Sequence, residues 1–137
     1  MAMKMLRING GTISSMKTVL VAEDRDASRE LIRTLLEHSG YNVLEAANGA
    51  EAVAIAFEMA PDLVLLDLQM PVKDGLQVLK ELRADQRFKR TPIVALTASA
   101  MRGDKETALN SGFTGYLTKP VSLSEIRQEL TRLLPTG

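Results

Sequence analysis

The sequence contains no cysteine among its 137 residues, which excludes thiol catalysis, cysteine-ligated zinc and disulfide cross-links together. A chain without disulfides suits the reducing cytoplasm, and we expect the protein to work there. Hydrophobic residues make up 45% of the chain, so a core can form without covalent or metal cross-links. The length is that of one ordinary domain.

Two further absences narrow the range of partners. Lys plus Arg and Asp plus Glu number 17 each, so the net charge is zero and provides no general attraction to nucleic acid or anionic lipid. No apolar run approaches the roughly 20 residues that a membrane span needs. We therefore expect neither nucleic acid nor a membrane as a direct partner.

The chain divides into a short leader and one domain. Residues 1–16 contain Lys4 and Arg7 but no sustained apolar stretch and no evident cleavage site, which is unlike a signal peptide. We interpret residues 1–16 as a flexible leader, of the kind that an expression vector can add. Residues 17–137 show no internal repeat or low-complexity tract, and we interpret them as the domain.

Continuous apolar runs of strand length occur at residues 19–22, 63–66 and 93–96. Such runs are typical of strands buried on both faces of a parallel sheet. Two shorter or more polar segments, residues 41–46 and 115–118, are the expected edge strands.

Segments with helical spacing and their own start or stop signals separate the five predicted strands. The signals are Gly40 after the first helix, Asn48 with Glu51 before the second, Asp74 before the third, Gly112 after the fourth (about 102–111), and Ser122 with Glu125 before the fifth. Regular alternation of strands and helices predicts an α/β fold: a doubly wound, five-stranded parallel sheet with helices on both faces.

Polar side chains follow the predicted strands directly. Glu23 and Asp24 follow the first strand, and Asp67 the third. Ligands of open α/β sheets bind outside the carboxyl ends of the strands. If the first and third strands are neighbours, three carboxylates converge, and their mutual repulsion is costly unless a cation lies among them. Oxygen ligands without Cys or a nearby His favour Mg²⁺.

Two further polar positions extend this site. Thr97 ends the fourth predicted strand, and Lys119 follows the fifth. Mg²⁺ and a fixed ammonium group would both neutralise the oxygens of a phosphoryl group in transfer. A carboxylate at the end of a rigid central strand, here Asp67, can then act as the nucleophile and form an acyl phosphate.

The ordered set of polar residues resembles the CheY-like receiver domain of bacterial response regulators, which work in two-component signalling. The resemblance covers roughly residues 17–134. It rests on Glu23-Asp24, Asp67, Met70-Pro71, Asp74-Gly75, Leu96-Thr97-Ala98, Tyr116 and Lys119-Pro120. It implies a flavodoxin-like sheet with strand order 2-1-3-4-5.

The resemblance also assigns roles to residues. Asp67 is the expected phosphoacceptor, and Thr97 and Lys119 are expected to bind phosphoryl oxygens. The expected Mg²⁺ ligands are Glu23, Asp24, Asp67 and the backbone carbonyl of Gln69. Tyr116 is the expected switching aromatic, acting with Thr97. Lys119 and Pro120 are expected to join through a cis peptide, and Gln69 and Ser99 to line the path of the hydrolytic water.

The function implied is a signalling switch rather than an enzyme acting on a separate substrate. The phosphoryl group is expected from the phosphohistidine of a sensor histidine kinase or a histidine phosphotransferase. The output is expected through the face made by the fourth helix, fifth strand and fifth helix, toward an unidentified protein. Because no DNA-binding segment follows Leu134 in this sequence, direct action on DNA is not expected.

Two other functions agree less well with this sequence. A Mg²⁺-dependent phosphohydrolase of the aspartyl-phosphate type needs a second acid or base near the nucleophile, where this sequence has Gln69, and it usually needs a cap domain. A flavodoxin-like cofactor binder needs a phosphate-cradling turn after the first strand. The acidic turn at residues 23–26 would instead repel a phosphate.

Overall fold

Five parallel strands form the centre of the computed structural model, which describes residues 5–7, 13–98 and 103–134. The strands are β1 (Thr18–Ala22), β2 (Asn42–Ala46), β3 (Leu63–Asp67), β4 (Ile93–Thr97) and β5 (Gly115–Thr118). Their order across the sheet is β2-β1-β3-β4-β5, and every neighbouring pair is parallel. The predicted fold class and strand order are confirmed.

Helices cover both faces of this sheet. They are α1 (Asp26–His38), α2 (Gly49–Met59), α3 (Gly75–Arg83), α4 (Asp104–Ser111) and α5 (Leu123–Leu133). Buried residues of α1 and α5 belong to one apolar core, and those of α2, α3 and α4 to another. The sheet therefore separates two hydrophobic layers, as a doubly wound fold requires.

The three central strands are buried along their whole length, which explains their continuous apolar sequences. Successive side chains of a strand point to opposite faces. In β1, Leu20 and Ala22 accordingly lie in one core and Val19 and Val21 in the other. The edge strands β2 and β5 are only partly buried, in agreement with their more polar sequences.

Side-chain caps fix where three helices begin. Asp74 with Gln77 and Ser122 with Glu125 form complete capping boxes at α3 and α5. Asn48 accepts a hydrogen bond from the Glu51 N–H at the start of α2, whereas the Glu51 carboxylate accepts from Ala47 rather than from Asn48.

Helix α4 lies between two glycines. Both Gly103 (φ 89°) and Gly112 (φ 118°) are in the left-handed region that favours glycine. The helix begins at Asp104, slightly later than the sequence predicted, and residue 102 lies outside the described residues. The predicted stop at Gly112 is confirmed.

Two short strands precede the main sheet. Met5–Arg7 and Ile13–Ser15 pair in antiparallel register, although their sequences gave no indication of strands. Residues 1–4 and 8–12 lie outside the described part of the chain, so the interpretation of residues 1–16 as a flexible leader stays a prediction. Within the described ranges, no helix combines the length and apolar character that crossing a bilayer demands.

Candidate functional site

The acidic site forms where β1 and β3 end side by side. The ladder pairs Ala22 with Leu66, so the next residue of each strand, Glu23 and Asp67, reaches the same edge of the sheet. Carboxylate oxygens of Glu23, Asp24 and Asp67 all lie within 4.8 Å of one another. Glu23 is fully buried, Asp67 is only 4% exposed, and Asp24 faces solvent. The convergence predicted for these acids is therefore present in the fold.

Lys119 lies between the two buried carboxylates. Its ammonium group donates to Glu23 Oε1 at 2.5 Å and to Asp67 Oδ2 at 2.8 Å. The backbone N–H of Lys119 donates to the carbonyl of Thr97 at 2.7 Å, which ties the residue to the end of β4. The peptide bond to Pro120 is cis, as expected. One cation thus partly balances two buried acids.

Backbone groups hold the remaining carboxylate oxygens. The Gln69 N–H donates to Asp67 Oδ1 at 2.8 Å, and the Arg25 N–H donates to Glu23 Oε2 at 3.2 Å. Gly75 lets the loop after β3 pack against the end of the strand, because a Cβ at this position would clash with the Asp67 carbonyl oxygen. The Asp67 carboxylate therefore has a defined orientation at the end of its strand.

The two buried acids differ in their affinity for protons. Burial raises the pKa of Glu23, but hydrogen bonds with Asp67 and Lys119, aided by Ser28 and Arg25, outweigh it and lower that pKa to about 2. Burial and the hydrogen bond with Glu23 raise the pKa of Asp67, and bonds from Lys119 and Gln69 offset only part of that rise. Asp67 is thus the carboxyl group that more readily takes a proton.

The ammonium of Lys119 keeps its proton in this setting. Burial lowers its pKa, but the hydrogen bonds and charges of Asp67 and Glu23 outweigh burial, and the pKa is raised overall. A positive charge is thus held permanently beside Asp67, where an incoming phosphoryl group would bring negative charge.

An open cleft of about 600 Å³ gives access to the acids. Its polar side is formed by Asp24, Arg25, Ser28, Asp67, Gln69 and Lys119. Its apolar side is formed by Ala27, Leu31, Ile32, Ala98, Pro120 and Val121. The Asp67 carboxylate therefore lies at the wall of a cleft that is open to solvent.

Thr97 and Tyr116 lie together beside this site. Leu96 pairs with Asp67 across the β3–β4 ladder, which places Thr97 next to the phosphoacceptor candidate. Tyr116 is half-buried on β5, and its hydroxyl shares a hydrogen bond with the Thr97 side chain. Burial and the charge of Asp104 raise the pKa of Tyr116, whereas this hydrogen bond lowers it. The two predicted switch residues are thus in contact.

Of the two residues predicted to line the path of the hydrolytic water, the structure describes Gln69 but not Ser99. Gln69 is exposed and lines the cleft, and its N–H is already bonded to Asp67. Use of its backbone carbonyl as a metal ligand stays a prediction. Ser99 lies outside the described residues.

Two residues of α1 touch the site without having been predicted. The Ser28 side chain hydrogen-bonds Glu23, and Arg29 Nη1 donates to the backbone carbonyl of Glu23 at 2.9 Å. Polar residues in the first turns of a helix are common, and the sequence around them does not show whether their side chains contact solvent or a neighbouring loop. Their contacts with Glu23 become visible only in the folded structure, where the start of α1 lies beside the acidic turn.

The donor set fits a magnesium ion. All three clustered side chains offer carboxylate oxygens, the ligand type that Mg²⁺ prefers. With all three ionised, their charge exceeds that of the single ammonium of Lys119. The open cleft also leaves room for the water ligands that Mg²⁺ usually retains.

Comparisons with known proteins give one consistent picture. The family model described as the response regulator receiver domain matches residues 19–131. The chain is similar to the polar-differentiation response regulator DivK of Brucella anthropi, with 41% identity over 107 residues, covering 78% of this chain and 87% of that protein.

Solved structures are similar as well. The chemotaxis protein CheY4 of Vibrio cholerae superposes with a TM-score of 0.82 and 33% identity, covering 88% of this chain and 100% of that one. The receiver domain of the sensor histidine kinase PA1611 of Pseudomonas aeruginosa has a TM-score of 0.82 and 35% identity, covering 89% and 100%. That structure holds a magnesium ion coordinated in its active site cleft.

Proposed function

The chain belongs to the response regulator receiver domain family, and on that basis we propose that it is a switch operated by phosphorylation of Asp67. The observation that carries this proposal is the buried Asp67 carboxylate, bonded to Lys119 and clustered with Glu23 and Asp24 at the carboxyl edge of the sheet. The phosphoryl donor is the phosphohistidine of a sensor histidine kinase or a histidine phosphotransferase.

Asp67 acts as the nucleophile in the transfer. A carboxylate oxygen of Asp67 attacks phosphorus and forms a P–O bond while the P–N bond of phosphohistidine breaks, and the electron pair of that bond goes to the imidazole nitrogen. Asp67 must be ionised to attack, and Lys119 favours its ionised form. Glu23, Asp24, Asp67 and the carbonyl of Gln69 would hold Mg²⁺, which supplies charge neutralisation for the phosphoryl oxygens.

Lys119 and Thr97 receive the transferred group. The Lys119 ammonium, 2.8 Å from Asp67 Oδ2, is placed to donate to a phosphoryl oxygen on Asp67. The Thr97 hydroxyl is the second donor. The aspartyl phosphate adds negative charge and strong acceptor oxygens at the site, so both donors gain from bonding to it.

The switch runs through the contact between Thr97 and Tyr116. Once the Thr97 hydroxyl turns toward the phosphoryl group, its hydrogen bond with Tyr116 is lost and space opens beside β4. The half-buried ring of Tyr116 then rotates inward and alters the face made by α4, β5 and α5. A charge-assisted hydrogen bond of about 1.5–3 kcal/mol biases this two-state element.

This face is the proposed output surface, and its partner is another protein. Within this proposal the domain works in the cytoplasm and contacts neither nucleic acid nor a membrane directly. It catalyses only its own phosphorylation and slow dephosphorylation. A phosphohydrolase acting on a separate substrate is less well supported, because Gln69 occupies the position, two residues after the nucleophile, where such an enzyme usually carries its second acid or base.

Mapping the phosphorylated residue tests the proposal. The protein is incubated with acetyl phosphate and Mg²⁺, the acyl phosphate is reduced with borohydride, and the modified peptide is located by mass spectrometry. We expect modification at Asp67 and none in Asp67→Asn. The matched control is Asp62→Asn, because Asp62 is a partly buried acid whose carboxylate bonds the Thr18 N–H at the opposite end of the sheet. Modification of another residue in Asp67→Asn would contradict the assignment.

A further inference from the structure

We infer that Arg29 is a positioning residue for the metal-binding acids, because its guanidinium group braces the backbone turn that carries Glu23 and Asp24. This inference rests on the proposed Mg²⁺-dependent function of the site. Arg29 itself is not a metal ligand, since it is a cation. Its role is to hold the two acids where a metal ion can use them.

Each nitrogen of the Arg29 guanidinium bonds a different element. Nη1 donates to the Glu23 backbone carbonyl at 2.9 Å, and Nη2 donates to Asp26 Oδ1 at 2.8 Å. Nε donates to Glu45 Oε1 on β2 at 3.2 Å. One planar group thus connects the end of β1, the start of α1 and the neighbouring strand.

The bond to the Glu23 carbonyl orients the peptide unit that leads into Asp24. That carbonyl and the Asp24 N–H belong to one planar peptide unit, so fixing the carbonyl fixes the orientation of the whole unit. The other side of Glu23 is already fixed, because its N–H donates to the Ala46 carbonyl at 3.0 Å. Arg29 therefore adds a second constraint on the backbone immediately before Asp24, the exposed acid of the cluster.

The location of Arg29 supports a bracing role. Its side chain is only 17% exposed, whereas that of Asp26 is 90% exposed, so the arginine is held between α1 and the sheet. The planar guanidinium group of arginine has N–H donors that point in different directions, so it can bond the three acceptors at the same time. Lysine, with a single ammonium at the end of a flexible stem, cannot bond the three groups in the same directions.

The charge of Arg29 and its bracing role have opposite effects on the affinity for Mg²⁺. A cation near the acidic cluster repels Mg²⁺, so removing it should strengthen metal binding if charge alone matters. Loss of the brace should weaken metal binding, because the acids lose their orientation. The sign of the change in affinity therefore separates the two roles.

Arg33 provides a matched control on the same helix. It lies one turn further along α1 and pairs with the same partner, at 3.6 Å from Glu45 Oε2. The hydrogen bond that braces the Glu23 carbonyl comes from Arg29. Arg29→Gln and Arg33→Gln therefore remove the same charge from the same face, but only the first removes the brace.

The test is the affinity for Mg²⁺ alone, measured by calorimetric titration of the unphosphorylated protein at low and high ionic strength. We expect Arg29→Gln to bind Mg²⁺ about tenfold more weakly, at the lower end of losses for supporting residues of metal sites. Arg33→Gln should stay within about twofold of wild type. The defect of Arg29→Gln should persist at high salt, which screens charge effects but does not restore orientation.

A second variant covers the case in which Arg29→Gln does not fold. Arg29→Lys keeps the charge, and we expect it to fold and to bind Mg²⁺ several-fold more weakly than wild type. Wild-type affinity in Arg29→Lys, or equal affinities in Arg29→Gln and Arg33→Gln, would overturn the positioning role and leave the proposed function intact. No Mg²⁺ binding by the wild-type protein would overturn the proposed metal chemistry and this inference together.

Discussion

Glu23 and Asp67 share the ammonium of Lys119, yet their pKa values shift in opposite directions. At Glu23, hydrogen bonds with Asp67, Lys119, Ser28 and the Arg25 N–H outweigh the effect of burial and lower the pKa. At Asp67, burial opposes ionisation, and the neighbouring Glu23 opposes it further. The site thus keeps one permanent carboxylate and one carboxyl group whose charge state depends on its surroundings.

Replacing Asp67 with Asn should stabilise the metal-free protein at neutral pH. Because the folded-state pKa of Asp67 is raised above its ordinary 3.8, the ionised side chain destabilises the fold at pH values above that folded pKa. Asn removes this cost, so its advantage should shrink as the pH falls and wild-type Asp67 takes its proton. The measurement is urea unfolding with a chelator present, across a pH series. A less stable Asp67→Asn at neutral pH would show that the Lys119 ion pair dominates instead.

Replacing Glu23 with Gln should have the opposite effect. The folded-state pKa of Glu23 is lowered from 4.5 to about 2, so its ionised form stabilises the fold above pH 4.5. We expect Glu23→Gln to lose about 1–3 kcal/mol at neutral pH, since Lys119 and the Arg25 N–H lose a charged acceptor. The difference from wild type should shrink as the pH falls from 4.5 toward 2. The same unfolding series tests this, and a deficit independent of pH would point to packing instead of charge.

Replacing Thr97 with Ala should separate phosphorylation from switching. Asp67 should still accept phosphate from acetyl phosphate, because the acids and Lys119 remain. The conformational change of α4, β5 and α5 should be lost, because the variant has no residue-97 hydroxyl that could exchange its hydrogen bond with Tyr116 for one with the phosphoryl group. The population shift expected in wild type is about 10- to 150-fold.

Beryllofluoride, a phosphoryl mimic, provides the readout for Thr97→Ala. Amide chemical shifts of α4, β5 and α5 are compared with and without it. The control is Thr118→Ala, which removes a partly buried threonine at the paired position of the neighbouring strand. A full wild-type response in Thr97→Ala would place the switch elsewhere.

Lys119→Arg should also fail to switch despite keeping its charge. The ammonium bonds two carboxylates 2.5 and 2.8 Å away in a confined space, and a planar guanidinium cannot take up that arrangement. We expect loss of most of the beryllofluoride-induced amide shifts, whereas Lys89→Arg, at an exposed position, should behave as wild type. A normal response in Lys119→Arg would mean that positive charge alone is sufficient.

Replacing Ala60 with Gly should stabilise the fold, although Gly for Ala usually does the reverse. Ala60 ends α2 in the left-handed region with φ 46°, whereas Ala84 ends α3 with φ −75°. Relief of strain should raise the unfolding free energy of Ala60→Gly by up to about 1 kcal/mol. Ala84→Gly, the same substitution at a helix end of ordinary conformation, should lower it. Equal effects of the two substitutions in thermal unfolding would contradict this account.

The sequence by itself determined the elements of the fold and the members of the site. Continuous apolar runs identify the central strands because strands buried on both faces need them. Asn48 and Ser122 identify helix starts because their side chains satisfy free N–H groups there. Asp67 and Lys119 stand out because polar residues directly after buried strands lie at the edge where ligands bind.

Only the tertiary structure decided how these groups act on one another. Glu23 and Lys119 are 96 positions apart, and no local pattern encodes a bond between them. Which of Glu23 and Asp67 takes a proton depends on burial and on the number of donors around each, and both arise from packing. The brace from Arg29 likewise appears only when α1 folds against the turn after β1. Apolar periodicity and capping signals depend on residues a few positions apart. The charge balance of this site and the orientation of its side chains depend instead on residues that are distant in sequence and meet only in the fold.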